Sequence, residues 1–454
     1  MVKYHSRIFN SSGRMAFPPR RRRTPEQGRK YLQMKTLGKS ALILLISLIL
    51  GFLLLFAVYH IPARFTVDEC VESAPYFTES GEYPTETYSQ RLLDNYADCV
   101  MLLEASYLGE ESALEQVVNS YHNTIQDSNP YYSFRRMYSG SKKEILSTSY
   151  ARYWHGYLTV LRPLFTKLNY QQIIQINLWG QYILLLLVLF MVCRKAPSCL
   201  FPLIITVLFL APSAIGRCLE YSPAYIITLL FLLLFLWNPG GRINEKNVWV
   251  LFLSAGILCG YFDLLTAPSL TLTIPLCFVC VQRAGSGSWK QNAGLFLRCC
   301  FVWLFGYAGM WAGKWILTAL FEGSDFLHAI WERIWMYTGP TLEGKYIAPL
   351  TALGKNLTEL FKIIDLDIFA VVFAGILIIA VVHDRRRISK RSSSDALLVF
   401  LPALIPVVWV LLLKNHSHRH YWFVYRSLVP LIFCPLCALN TLRNPETAAA
   451  RSLI

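Results

Sequence analysis

Residues 41–59 read ALILLISLILGFLLLFAVY, an apolar run without a single charge. As a helix rising 1.5 Å per residue it extends roughly 28 Å, close to the roughly 30 Å hydrocarbon core of a bilayer. The run therefore reads as a membrane crossing, and the fold follows from finding its companions. With the first crossing near 40–60, others are predicted near 174–193, 198–216, 222–238, 246–263, 268–282, 293–318, 368–383, 395–413 and 424–441. The expectation is an all-α, polytopic bundle of about ten transmembrane helices. Composition agrees, since 54% hydrophobic and 16% charged residues are more apolar than an ordinary soluble domain tolerates.

A net charge of +15 would suit nucleic acid, but its placement suits a membrane surface and argues for no nucleic-acid partner. Eleven Lys and Arg fall in the first 39 residues, against Glu26 as the one acid. Arg194, Lys195, Arg242, Lys246, Arg283, Lys290, Arg385, Arg386, Arg387, Lys390 and Arg391 all fall in connections that the crossings put on the same side. By the positive-inside rule that side is cytoplasmic. The stretch 61–173, with Asp68, Glu69, Glu72, Glu79, Glu82 and Glu86, is acidic and belongs outside.

The resulting organisation is a basic cytoplasmic tail (1–39), a first helix acting as signal anchor (40–60), and a large extracytoplasmic loop (61–173). Helices two to seven (174–318), a second extracytoplasmic loop (319–367), helices eight to ten (368–441) and a cytoplasmic tail (442–454) follow. Helical patterning inside the first loop covers 87–108, 112–122 and 142–168. In the second it covers 325–337 and 351–364, amphipathic segments suited to the headgroup region. Of the twelve cysteines most lie in apolar runs and pack as small hydrophobes, and the Cys-x-x-Cys pairs at 277/280 and 434/437 carry no metal expectation. Cys70 and Cys99 share the first loop, where an oxidising compartment would permit a disulfide.

Chemistry-bearing residues gather on the extracytoplasmic side. Asp94 and Asp98, in DNYAD, are four apart and share one helical face. Such a pair is a solvated face, a general base with a raised pKa, or a ligand set for a divalent cation. The stretch 150–157, YARYWHGY, offers Arg152, Trp154 and His155, with Arg162 shortly after. Its aromatics suit a membrane boundary, and its guanidinium groups suit phosphate. Asp263 in FDLLTAP is a helix cap or a polar site group, and Lys314 in GMWAGKW a snorkelling or phosphate-binding cation. The segment NHSHRHYWFVYR (415–426) adds His416, His418 and Arg426, either a cationic, hydrogen-bonding patch for a phosphate or sugar or an anchor at the membrane interface, rather than a metal site. Arg426 calls for an anionic partner, Asp263 or a lipid phosphate.

This architecture resembles the polytopic glycosyltransferases of the C-type superfamily. DNYAD, RYWHGY, FDLLTAP, GYAGMWAGKW and NHSHRHYWFVYR look, more narrowly, like segments of a group of bacterial multi-pass membrane proteins, a resemblance that implies no substrate. The superfamily resemblance implies a polyprenyl-phosphate-linked sugar as donor and a glycan, lipid or protein acceptor outside the cell membrane. It also implies that a first-loop carboxylate, Asp98 or Asp94, is the base toward the acceptor. Asp68-Glu69 resembles an early acidic pair of protein mannosyltransferases, but the spacing around it departs from that pattern. Lys314, Arg152, Arg162 and Arg426 would hold the phosphate. The alternatives are a lipid-linked glycan transporter and a membrane O-acyltransferase.

Overall fold

The computed structural model describes residues 25–85, 91–139, 144–237, 247–362 and 390–443. The crossing expected at 368–383, the basic residues Arg242, Lys246 and 385–387, and most of both tails lie outside those residues. The chain divides into two units, 1–43 and 44–454, and the packing below is that of the second.

The protein is mostly helical, and among the described residues five helices are long and apolar enough to cross a membrane: Thr36–Tyr59, Tyr170–Lys195, Trp289–Glu322, Ser393–Leu412 and Tyr421–Leu442. Four shorter apolar helices, Pro197–Leu210, Ser222–Leu236, Val248–Phe262 and Leu270–Arg283, sit where four more crossings were expected. Nine of the ten expected runs thus form apolar helices, and five have crossing length. The run 198–216 is cut because Ala211 takes a left-handed φ of 51° and Pro212 cannot continue the ladder, so a separate turn, Pro212–Gly216, follows. Val248–Phe262 packs along Trp289–Glu322 with backbones nearly touching. A Cβ on Gly256 would stand 2.2 Å from the Trp303 carbonyl, and one on Gly306 2.6 Å from the Leu253 carbonyl. Small residues at such a crossing let apolar helices pack without help from water.

The loop between the first two long helices departs from expectation in detail. It holds helices Val67–Ser80, Asn95–Ala105, Ala113–Asn119, Pro130–Tyr138 and Leu158–Leu164. Strands Tyr121–Ile125 and Ile145–Ser149 pair antiparallel, with Tyr121 opposite Ser149. The helix expected over 142–168 is therefore a strand, a set of turns and a short helix. Pairing of the β-branched residues Ile145 and Thr148 with the first strand, a left-handed His155 and Pro163 account for the change. The helix expected over 112–122 stops at Ser120, which is left-handed at φ 49°. A second two-stranded ribbon joins Thr341–Leu342 to Lys345–Tyr346, so the fold is mostly rather than wholly α. Phe77, Leu102, Leu103, Phe134 and Tyr170 fill the loop's core. Cys70 and Cys99 remain separate buried thiols, with no disulfide between them. The helices Ser324–Thr338 and Pro349–Phe361 form where the second loop's patterning placed them.

Candidate functional site

Asp94 caps the helix Asn95–Ala105, its Oδ1 accepting from the Ala97 N–H at 2.9 Å. Its Oδ2 accepts from the indole N–H of Trp422 at 3.3 Å, bringing residues far apart in the chain together. Asp98, one turn on, is fully buried and surrounded by donors. Oδ2 accepts from the Tyr170 hydroxyl at 2.6 Å and the Leu219 N–H at 3.0 Å; Oδ1 accepts from the Glu220 N–H at 3.1 Å and the Cys218 thiol at 3.5 Å. The pair is thus not a solvated face. Burial pushes Asp94 up to about 7, with the charge of Asp98 adding to it; burial also pushes Asp98 up, to about 6, against the four donors that hold it down.

One buried acid that sequence reading missed is Glu220, in the connection just before the helix Ser222–Leu236. Its side chain is buried, and Oε2 has no hydrogen-bond partner. Burial pushes its carboxyl well up, and Asp94, Asp98 and Asp263 push in the same direction while Arg426 opposes them. The signal was present: a lone acid between two apolar runs is a functional candidate by default.

Arg426 lies on a turn, Tyr425–Leu428, with its guanidinium 4.5 Å from the ring of Tyr221 and 5.0 Å from that of Tyr425. Its Nε donates to the Leu210 carbonyl at 3.1 Å, a group freed by the helix break at Ala211. Its charge favours the ionised form of Glu220. Tyr221, Tyr225, Thr266, Phe423 and Arg426 line a void of about 10 Å³, room for about one water.

Asp263 ends the helix Val248–Phe262 and caps the following turn, accepting from the Thr266 N–H at 3.0 Å and from the Thr266 hydroxyl. His416 holds that turn in place, its Nε2 lying 3.2 Å from the Leu265 carbonyl. A carbonyl only accepts, so Nε2 carries the proton and Nδ1 is the free lone pair. Burial pushes His416 down to about 4, and burial with the charges of His416 and Arg419 pushes His420 lower than usual. The two rings lie 4.9 Å apart, tilted by 44° to each other. His418 points elsewhere and is part-exposed, with its pKa lowered by burial and by Lys355. At neutral pH the patch is therefore histidine-rich but not cationic through His416 or His420. Asn415 spends its amide on the carbonyls of Met336, Gly339 and Thr341.

Of the remaining expected residues, His155 and Lys314 belong to a second polar cluster, around Glu104. The carboxylate is fully buried, with Oε2 2.9 Å from His155 Nδ1 and accepting from the Tyr157 hydroxyl. His155 Nε2 lies 2.8 Å from the Tyr150 carbonyl. The Lys314 ammonium donates to the Val117 and Val118 carbonyls at 2.6 and 2.8 Å, capping the helix Ala113–Asn119. Trp154 donates from its indole to the Met310 carbonyl at 2.6 Å. Arg162 directs two nitrogens at the Ile61 carbonyl, 3.2 and 2.7 Å away. Arg152 lies 4.6 Å from the Tyr150 ring, its Nε buried without an acceptor. Lys314 and Arg162 therefore hold backbone carbonyls at helix ends.

A divalent cation does not fit the pair at 94 and 98, because the donors on Asp98 occupy the lone pairs a metal would need. Among the described residues no group of three or more His, Cys, Asp or Glu is placed to hold a metal ion. Searches against protein-family models, characterised proteins and solved structures return no match to this chain. The fold and site define a mostly helical protein with membrane-length helices and a buried acid cluster.

Proposed function

We propose that the chain is a multi-pass membrane glycosyltransferase of the C-type kind, moving a sugar from a polyprenyl-phosphate donor to an extracytoplasmic hydroxyl. The observation that supports this reading is the meeting of Asp94, Glu220 and Arg426 with Trp422 and Tyr221 at the ends of apolar helices. The proposed topology keeps the N-terminus cytoplasmic and counts ten crossings, including the shorter apolar helices and 368–383.

In this mechanism the acceptor hydroxyl gives its proton to Asp94, whose carboxyl is poised near neutrality. The acceptor oxygen then bonds to the anomeric carbon as the bond to the phosphate oxygen breaks, and polyprenyl phosphate leaves. Arg426 offsets the charge that grows on that phosphate. Asp98 positions the acid helix rather than taking the proton, because four donors already occupy its two oxygens, against two on Asp94. The void beside Arg426 has room for about one water, so binding of the donor there requires its lining, Phe423 included, to open.

The test is to incubate the protein, reconstituted in vesicles, with a panel of polyprenyl-phosphate sugars and to follow free polyprenyl phosphate by mass spectrometry. Release that vanishes in Asp94→Asn and falls in Glu220→Gln supports the reading. Release from no donor, with movement of intact lipid-linked sugar across the bilayer, replaces it with transport; dependence on an acyl thioester replaces it with acyl transfer.

A further inference from the structure

The helix Ser324–Thr338 shows three faces where an ordinary surface helix shows two. Ile330 is buried against the protein, and the helix end is held by Asn415. Asp325, His328 and Glu332 form an exposed polar face. Between these, Leu327, Trp331 and Trp335, spaced four apart and so aligned along one stripe, are 50%, 65% and 60% exposed. Large apolar side chains in water at this density mark a surface that something covers.

The neighbouring element says what covers it. The helix Trp289–Glu322 has 34 residues, a length of about 51 Å, which exceeds the roughly 40–45 Å of a bilayer with its headgroups. Its last turns still expose Ile316, Leu320 and Phe321, Leu320 to 78%. Gly323, at φ 83°, then turns the chain directly into Ser324–Thr338. The apolar stripe thus continues an apolar surface that belongs to a helix of membrane length. Tryptophan is the residue that favours the headgroup boundary, its ring apolar and its N–H able to reach water.

We infer that Leu327, Trp331 and Trp335 insert into the bilayer leaflet beside them, with Ser324–Thr338 lying in the membrane plane and its face Asp325, His328, Glu332 turned to water. The occupant of the stripe is lipid, at the boundary between headgroups and chains. The inference stands whatever reaction the acid cluster performs. It also gives the leaflet a handle on the site, since Tyr337 of this helix meets His416 edge to face, with ring centroids 5.0 Å apart.

The protein has twelve tryptophans, so the test is a difference measurement. Wild type and the Trp331→Phe/Trp335→Phe variant are reconstituted in phosphatidylcholine vesicles with or without bromine on the chain carbons nearest the headgroup. The fluorescence lost in the variant is that of the pair. The inference expects more than half of this difference signal to be quenched by brominated lipid and little of it by aqueous iodide. Quenching by iodide and not by bromine places the stripe in water and overturns it. Quenching by neither means that a second copy covers the stripe, which also overturns it. Both residues are exposed, so phenylalanine preserves the fold; the single variants give the same reading if the double one accumulates poorly.

Discussion

Two buried polar clusters sit close to each other in this chain and are built on opposite plans. Around Glu104, one carboxylate meets His155, Tyr157 and, through its charge, Lys314, and the cations finish on backbone carbonyls. Around Glu220, three further acids, Asp94, Asp98 and Asp263, raise its cost of ionisation, with Arg426 opposing them. The first cluster is balanced and works as a staple between loop and long helices. The second is acid-rich, and natural proteins rarely keep such an arrangement where packing alone is at stake. The difference separates residues that look equivalent in sequence, since Lys314 and Arg426 are both cations near helix ends.

The comparison breaks most visibly at Asp94. Asp94→Asn should slow transfer by about 10²–10⁴-fold while the protein still folds, because asparagine still caps the helix. Transfer at the wild-type rate would remove Asp94 as base. Glu104→Ala should instead cost about 3–5 kcal/mol of stability, since it strands His155 and Lys314 in a dry interior. A well-folded Glu104→Ala protein would show that the staple is not one. Asp98→Asn lies between these two. It turns an amide N–H₂ toward donors and should lower stability by about 2 kcal/mol. Loss of transfer in Asp98→Asn at normal stability would return the base to that residue.

The smallest effect sharpens the acid cluster through pH. Asp94 is raised by burial, so its contribution to stability is complete below the ordinary carboxylate range and is lost as pH rises through about 7. His416 and His420 are lowered, and their contribution runs the other way, lost as pH falls below the usual histidine value. The clean observable is therefore the difference between Asp94→Asn and wild type. The variant should gain unfolding temperature relative to wild type between pH 5 and pH 8. A flat difference would mean that Asp94 does not change charge in that window.

The long helices were legible in the sequence because a bilayer demands apolar length, and 41–59 meets that demand alone. The break at Ala211 was not, since alanine favours helix and the left-handed turn depends on Pro212 and its neighbours. The strand Ile145–Ser149 was read as helix because its partner lies 24 residues away at Thr148 and Thr124, and patterning is blind to such pairing. At the site, spacing placed Asp94 and Asp98 correctly on one element, but only the surrounding donors distinguish a structural acid from a reactive one. Glu220 and Glu104 were passed over although each interrupts apolar sequence, the very context that makes an acid informative.

The bond from Lys314 to the Val118 carbonyl spans 196 residues, and it has a consequence for biogenesis. At about 5–20 residues per second, roughly 10–40 s of translation separates the helix that needs the cap from the lysine that supplies it. Until then the first loop has emerged from the ribosome without the partner that closes its helix end. Its maturation is tied to the arrival of a distant membrane helix, so chains truncated before residue 314 should expose that loop to proteases however long they are left to fold.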